Sequence, residues 1–379
     1  MSTPTLFPEL VHLIAASLLS IGGKQAIQPF ALVCREWNSV SRPFLFQHIV
    51  IHGEDDIYDF LDILIYSSGI GQVVNDLTVK GGPVYGDCGV NFLELLASRV
   101  LVIMPALETL TLSGFTIDDF SPTTLPHLAQ LRGVTTLKFR DITCSLPVLW
   151  GYMSSFPSLQ AVDISGHSAH RRGERFDPKL LEDVNPSSNL ISLRLDSCHR
   201  VDRFIERLKA SNWAQSIHSL SLISGYWEAS IMRDLLMSSP CLEELHLDVT
   251  SNSEIPTYIR LDTVPKLRVL TIKHYILDDN IKSFFANSRH ENLRCLIFRL
   301  SDIDYDHHPR YRDIFGILNA ERFPRLEEFQ VVADSYWAPE DLMSELQPFV
   351  DFVKEDGVTV IRSSAVHIRL RLPDRRRRR

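Results

Sequence analysis

The sequence predicts an α/β protein in which a small helical region precedes a long solenoid of parallel strands. Three observations support this prediction: a hydrophobic motif that recurs ten times, helix-type periodicity between several of its copies, and an N-terminal stretch that lacks the motif. By these patterns the 379 residues divide into a helical region at 1–51, a repeat region at 52–338, a cap at 339–372 and an arginine-rich tail at 373–379. We expect the tail to be disordered.

The recurring motif consists of an aliphatic residue, two variable residues, an apolar residue, one variable residue and a second apolar residue. Successive copies begin between 25 and 33 residues apart, which lies in the range of leucine-rich repeats. Because one repeat cannot bury its apolar side alone, neighbouring repeats must stack, with their variable residues on a concave face. The copies begin at Val74, Leu107, Val134, Leu159, Leu190, Ile217, Leu242, Leu267, Leu293 and Leu326.

The apolar positions of the motif predict the core of the solenoid. Side chains alternate between the two sides of a strand, so the residues at these positions point the same way. Between the strands, a 3.6-residue periodicity predicts return helices over 203–208, 230–237 and 280–285. The leucines that we expect to be buried are Leu110, Leu112, Leu137, Leu193, Leu195, Leu220, Leu222, Leu245, Leu247, Leu270 and Leu296.

The first predicted helix lies at the start of the N-terminal region. Pro8 followed by Glu9 suits a first turn, where a backbone N–H is not needed and an acidic side chain is favourable. Gly22 and Gly23 are expected to end the helix. Five apolar residues fall on one helical face: Leu10, Leu13, Ile14, Leu18 and Leu19.

Two further helical segments and a strand are predicted before the repeats. A second helix is expected to start near Pro29, because proline fits a first turn but not a helix interior, and to run through Trp37. A short third segment carries residues 42–46. Residues 47–51 alternate like a first strand. This region is therefore predicted to be a small three-helix unit.

The residues after the last motif copy predict a cap over the end of the solenoid. A helix is expected to begin at Pro339 and to run towards Lys354, since acidic residues follow the proline in the first turn. Residues 359–361 and 366–370 have strand-type patterns. A repeat array needs such a cap to cover its last apolar layer.

Composition and charge exclude several classes of protein. The net charge is −8, and it becomes −13 without Arg375–Arg379, which does not favour a general nucleic-acid binder. No apolar stretch approaches the roughly 20 residues of a membrane span, and the N-terminus lacks a signal-peptide pattern. Six cysteines are scattered singly, so we expect reduced thiols and no metal site. The sequence predicts a cytoplasmic or nuclear protein in which the arginine tail is either a targeting element or a solvated end.

Three N-terminal motifs together resemble an F-box. They are Leu6-Phe7-Pro8-Glu9-Leu10, then Leu32-Val33-Cys34-Arg35-Glu36-Trp37, and finally Phe44-Leu45-Phe46. With the repeats behind them, the chain is similar to fungal-type F-box proteins that carry C-terminal leucine-rich repeats. The resemblance implies a three-helix F-box followed by a leucine-rich-repeat solenoid with parallel strands on its concave face.

The resemblance also implies a function. F-box proteins dock on the Skp adaptor and, through it, on a cullin, and they recruit a target protein for ubiquitin transfer by an E2 enzyme. A chain of this family has no catalytic residues, cofactor or metal of its own, so we expect no enzyme activity. The adaptor-binding residues that the resemblance implies are Leu6, Pro8, Glu9, Leu10, Leu32, Val33, Cys34 and Trp37.

The target protein is predicted to contact variable positions on the strands of the middle and later repeats. The basic residues among these positions could form a stripe for an acidic or phosphorylated partner. The same face carries many carboxylates, so a mixed solvated surface is the alternative. The residues predicted to contact the target are Arg194, His246, Asp248, Lys273, Tyr275 and Arg299.

Two other functions are compatible with the sequence. The chain could be a repeat scaffold that pairs with the Skp adaptor without a cullin. It could also be an enzyme or metal protein that uses His307 and His308 in the polar segment 301–312, or the segment 166–170. The second alternative lacks a paired acid–base constellation at a recognisable spacing.

Overall fold

The chain forms two compact units, which consist of residues 1–162 with 167–188 and of residues 163–166 with 189–379. The structure is a computed structural model. It describes residues 7–67, 69–81, 94–117, 124–167, 189–198, 202–223, 229–249, 259–274, 279–300, 314, 316–318, 321–333, 347, 359–364 and 367–371.

The first unit begins with a helical region. Helix α1 spans Pro8–Ala31, and it is broken at Gly23, whose backbone φ of 62° lies in the left-handed region. Glycine adopts this conformation without the steric cost that a side chain would add. The predicted end of the first helix at the glycine pair is therefore confirmed, but the predicted second start near Pro29 is wrong. The chain returns to helix directly after Gly23, and Pro29 lies in the last turn.

The second predicted helix, from Pro29 through Trp37, is also wrong in its extent. Helix α1 ends at Ala31, and helix α2 begins at Arg35 and ends at Phe46. Cys34 between them is fully extended, and the Asn38 side chain donates a hydrogen bond to the Ala31 carbonyl oxygen at 3.2 Å. This bond satisfies one of the carbonyl groups that every helix end leaves without an internal partner.

The strands of the first unit follow the predicted motif copies. They pair in parallel and in register, with β1 beside β2, β2 beside β3, and β3 beside β5, while the short strands β4 and β6 pair separately. The strands are β1 His48–His52, β2 Asp76–Lys80, β3 Thr109–Ser113, β4 Thr116–Ile117, β5 Thr136–Arg140, β6 Thr143–Cys144 and β7 Ala161–Ser165. Of β7, only Ala161 and Val162 belong to this unit.

Helical segments connect these strands. The longer ones are amphipathic or apolar and place buried side chains against the strands, as Ile57, Phe60 and Leu64 of α3 do. The segments are α3 Gly53–Tyr66, a π-turn at Leu96–Val100, a 3-10 turn at Leu101–Ile103, α4 Thr124–Leu128 and α5 Leu146–Ser155.

The second unit repeats the same plan. Strands β8 to β13 pair in parallel in chain order, and two antiparallel pairings described below follow them. The strands are β8 Ser192–Asp196, β9 Ser219–Ile223, β10 Glu244–Asp248, β11 Val269–His274, β12 Cys295–Leu300, β13 Glu328–Ala333, β14 Thr359–Ser364 and β15 His367–Arg371.

The predicted return helices of this unit are confirmed. Each covers the predicted residues and extends past them by one or two positions. The helical segments are α6 Asp202–Ala210, α7 Asn212–Ser216, α8 Ala229–Met237, a 3-10 turn at Leu261–Thr263 and α9 Asp279–Asn287. Within the part of the chain that the structure describes, no helix combines the length and apolar character needed to cross a membrane.

The predicted core of the repeats is confirmed. Every leucine predicted to be buried is at most 3% exposed. The register explains this result, because Leu220, Leu245 and Leu270 lie opposite one another on successive strands and continue to Leu296. The repeats therefore share one ladder of apolar side chains within the second unit.

The end of the second unit is closed by two strands. Strand β15 pairs antiparallel with β13, and β14 pairs antiparallel with β15. The predicted strands at 359–361 and 366–370 are thus confirmed by β14 and β15, while residue 366 lies outside the described residues. The helix predicted over 339–354 and the arginine tail lie outside the described residues.

A histidine buried at the end of β11 gives a testable pH dependence. Burial lowers the pKa of His274 to about 3, and its ring packs edge-on against Phe298 with the ring centres 5.5 Å apart. The unfolded chain binds a proton at this residue near pH 6.5, whereas the folded chain does not. The free energy of unfolding should therefore fall, by about 1.4 kcal/mol per pH unit for this residue, as the pH drops from 6.5 towards 3.

Urea unfolding of the wild type and of His274→Leu between pH 7 and pH 4 tests this expectation. Both chains contain the same carboxylates, so the difference between their slopes isolates the histidine. Equal slopes in the two chains would contradict a buried neutral His274.

Candidate partner-binding surfaces

Helix α1 carries four apolar side chains on one face that are exposed to solvent. They are Leu10, Leu13, Ile14 and Ile21, whose exposed fractions are 45%, 61%, 38% and 86%. At 3.6 residues per turn these positions fall within about 100° of one helical face. We call these four residues the docking stripe. Soluble proteins rarely leave such a surface uncovered, so it indicates a binding site.

The opposite face of α1 makes the internal contacts of the region. Val11 and Ala15 are buried together with Phe30, and four further side chains pack against this small cluster: Leu18, Trp37, Val40 and Phe44. The sequence placed Leu10, Leu13, Ile14, Leu18 and Leu19 on one apolar face. The structure divides that set, because Leu18 packs against the cluster and Leu19 is half-buried, while the other three are exposed.

The predicted adaptor-binding residues of the second motif lie at the turn between α1 and α2. Leu32 and Val33 are 83% and 60% exposed. The thiol of the exposed Cys34 donates a hydrogen bond to the Glu36 carboxylate at 3.0 Å, and this hydrogen bond lowers the pKa of Glu36. Trp37 is half-buried, with its ring centre 4.2 Å from that of Phe30.

The first motif is described only in part. Pro8 is the first residue of α1, and Glu9 lies exposed in its first turn. Leu6 lies outside the described residues. Sequence reasoning placed Leu13 and Ile14 on one face with Leu10 but missed Ile21. The signal that could have found Ile21 was its spacing of eleven residues from Leu10.

A second candidate surface is the outward face of the strands in the second unit. Adjacent strands align Asp248 with Lys273, and Lys273 with Arg299. A parallel row aligns Arg194 with Ser221, and Ser221 with His246. The structure therefore brings five of the six predicted target-binding residues onto one face, while Tyr275 lies outside the described residues.

Of the three cations among the predicted target-binding residues, two neutralise carboxylates of the protein. The Arg194 guanidinium lies 3.6 Å from Asp163 and 3.3 Å from Asp196. The Lys273 ammonium lies 3.4 Å from the Asp248 carboxylate, whose side chain is completely buried. These pairs give the face a mixed charge pattern.

His246 lies among these charges. Burial is the main cause that lowers its pKa to about 4, and the positive charges of Arg299, Arg194 and Lys273 act in the same direction, while Asp248 opposes them. Its Nε2 atom is buried and makes no hydrogen bond within the described residues. At neutral pH the imidazole is therefore uncharged.

Of the predicted segment 166–170, the structure describes Gly166 and His167, and the buried His167 ring has its Nε2 atom 3.1 Å from the Cys144 carbonyl oxygen. Residues 168–170 and 301–312 lie outside the described residues. Those alternatives remain sequence hypotheses.

Comparisons with known proteins give little further information. No family model matches the chain, and no curated protein matches it in sequence. Among solved structures, the chain is similar to one in "Crystal structure of Rad7 and Elc1 complex in yeast", with a TM-score of 0.36 and 13% identity. The similarity covers 86% of this chain and 92% of that one. At this TM-score the likeness carries no argument about function.

Proposed function

We propose that this protein is the target-recognition subunit of an SCF-type ubiquitin ligase. Its N-terminal helices bind a Skp adaptor and, through it, a cullin, and its repeats bind the target protein. The protein itself has no catalytic role. The single observation that carries the proposal is the docking stripe on α1, at the end of the chain whose motifs resemble an F-box.

The size of the N-terminal region supports this proposal. Its internal cluster contains three buried side chains and four partly buried ones. A region of fewer than about 50 residues has difficulty in supporting its own core. It nevertheless exposes the docking stripe together with Leu32 and Val33. A partner that covers these residues would complete the core from outside.

The repeats support the second half of the proposal. Their apolar side chains are used for stacking, so the outward strand positions are free to vary without loss of the core. Strand-borne side chains are held rigidly and can be preorganised for recognition. The outward face of the second unit therefore suits a protein partner.

The proposal predicts that Leu10→Asp and Leu32→Asp each weaken binding to a Skp adaptor by about 30-fold or more. Each variant places a charge in an apolar interface, and truncation of an anchoring residue alone costs about 2 kcal/mol. Co-purification of tagged full-length chain with the adaptor measures the effect. Both residues are exposed in the free chain, so the variants should fold normally.

Met237→Asp is the matched control, because Met237 is 60% exposed on α8 of the second unit. We expect it to retain the adaptor. Normal adaptor recovery with both N-terminal variants would contradict the proposal. A probe for the cullin in the same eluates separates a ligase subunit from a scaffold that binds the adaptor alone.

A further inference from the structure

We propose that Arg299 binds an oxyanion, a carboxylate or a phosphate, on a side chain of the target protein. This inference rests on the proposed function, since it names the chemistry that the outward face of the second unit recognises. It assigns the contact to one residue of the six predicted from the sequence.

Arg299 differs in its pairing from Arg194 and Lys273, the other two predicted target-binding cations. Arg194 is held by Asp163 and Asp196, and Lys273 is held by the buried Asp248. Arg299 is exposed, and no carboxylate among the described residues pairs with it. Its positive charge is therefore available to a ligand, whereas the charges of Arg194 and Lys273 are largely offset within the protein.

The neighbours of Arg299 leave its charge uncompensated. Lys273 lies opposite it on β11, and Val332 lies opposite it on β13. Asp248, one strand further away, is already paired with Lys273. His246 carries no charge at neutral pH and supplies no further cation. The geometry thus concentrates the excess positive charge of this row at one guanidinium.

The surroundings of Arg299 allow a side chain to approach. The row of aligned strand positions next to that of Arg299 begins at Arg194 on β8. It continues across the following strands through Ser221, His246, Thr271 and Ile297. Of these, Ser221, Thr271 and Ile297 are uncharged side chains that do not compete for an anion. A guanidinium presents a planar fork of donors that matches a carboxylate or phosphate with two parallel hydrogen bonds.

A protein segment fits this site better than a nucleic acid. Nucleic-acid binding depends on several phosphate contacts along a basic track. Here the predicted target-binding cations other than Arg299 are tied up in internal ion pairs, in a chain with a net charge of −8. One acidic or phosphorylated side chain in an otherwise uncharged stretch satisfies the site.

Pools of nonapeptides test this inference on the full-length chain without the adaptor. Each pool has one fixed central residue, which is glutamate, phosphoserine, glutamine or serine, between degenerate uncharged positions. Charged hydrogen bonds contribute about 1.5 kcal/mol or more, so we expect wild type to retain the glutamate or phosphoserine pool about tenfold better than the uncharged pools. Retention of one anionic pool and not the other identifies the source of the oxyanion.

Arg299→Gln should abolish this preference and leave the melting temperature unchanged, because no described residue forms an ion pair or hydrogen bond with the Arg299 guanidinium. Arg268→Gln is the matched control: Arg268 is 56% exposed and already paired with Glu243 at 3.2 Å, so the preference should persist. The inference is overturned if wild type shows no anionic preference, if Arg299→Gln keeps it, or if a 12-nucleotide oligouridine binds in an Arg299-dependent manner while no peptide pool does. These readouts do not involve the adaptor, so their failure is distinguishable from failure of the proposed function.

Discussion

Leu245→Ala is expected to lower the free energy of unfolding by about 2–5 kcal/mol. Leu245 is 1% exposed in the middle of β10, and it lies opposite Leu220 on one neighbouring strand and Leu270 on the other. Removal of the side chain loses its transfer free energy and leaves a cavity that stacked repeats can only partly close. Urea unfolding followed by circular dichroism measures the loss.

The matched control for this variant is Met237→Ala on the surface of α8. Met237 is 60% exposed, so its truncation should change the free energy of unfolding by less than about 0.5 kcal/mol. If the two variants changed the free energy of unfolding equally, the result would contradict both the buried ladder and the assignment of the strand positions to a shared core.

Lys273→Met is expected to cost about 3 kcal/mol. The Asp248 side chain is completely buried, and its carboxylate lies 3.4 Å from the ammonium of Lys273, whose side chain is 25% exposed. Removal of the ammonium deprives a buried carboxylate of this compensating charge, and such losses are among the largest that a single substitution produces. The free energy of unfolding from urea titration is again the measured quantity.

Two further variants complete this test. Replacing both partners, in Lys273→Met with Asp248→Leu, should recover most of the loss, because an apolar pair has no charge to compensate. Arg268→Met breaks the exposed pair with Glu243 and should cost less than about 1 kcal/mol. If Lys273→Met were as mild as Arg268→Met, the ion pair would not be buried.

The repeat region could be predicted because one short motif determines both strand and core. A residue such as Leu193 is fixed by strand periodicity, and the same position recurs at Leu220 and Leu245 in the next repeats. Each copy therefore confirms the others. The return helices could be predicted in the same way, because the period of their apolar residues is 3.6 residues instead of the two of a strand.

The helix boundaries of the N-terminal region could not be predicted in the same way. Proline is a residue type that favours helix starts, which is why the sequence predicts a helix start near Pro29. The chain is already helical from Lys24 onwards, and a proline near the end of a helix costs little stability. The turn at Leu32–Cys34 depends on a tertiary detail, the hydrogen bond from Asn38 to Ala31. No local pattern encodes that bond.

Which of the two apolar faces of α1 is exposed could be decided only from the structure. Two apolar faces compete on this helix, one through Leu10 and Ile21 and one through Val11 and Ala15. Hydrophobicity alone favours the first as the buried face. The smaller residues pack inward because α2 lies close, and the larger ones remain on the surface. The pairing on the outward sheet face was similarly hidden, since sequence does not show which of Arg194, Lys273 and Arg299 has a carboxylate partner.

The central claim is that the exposed residues of the N-terminal helices bind a Skp adaptor. Calorimetric titration of purified full-length chain with a purified Skp adaptor tests this most directly. We predict saturable binding at one adaptor per chain, with a negative heat-capacity change from buried apolar surface, and its loss in Leu10→Asp. The absence of binding to the wild type, or unchanged binding to Leu10→Asp and Leu32→Asp, would contradict the claim.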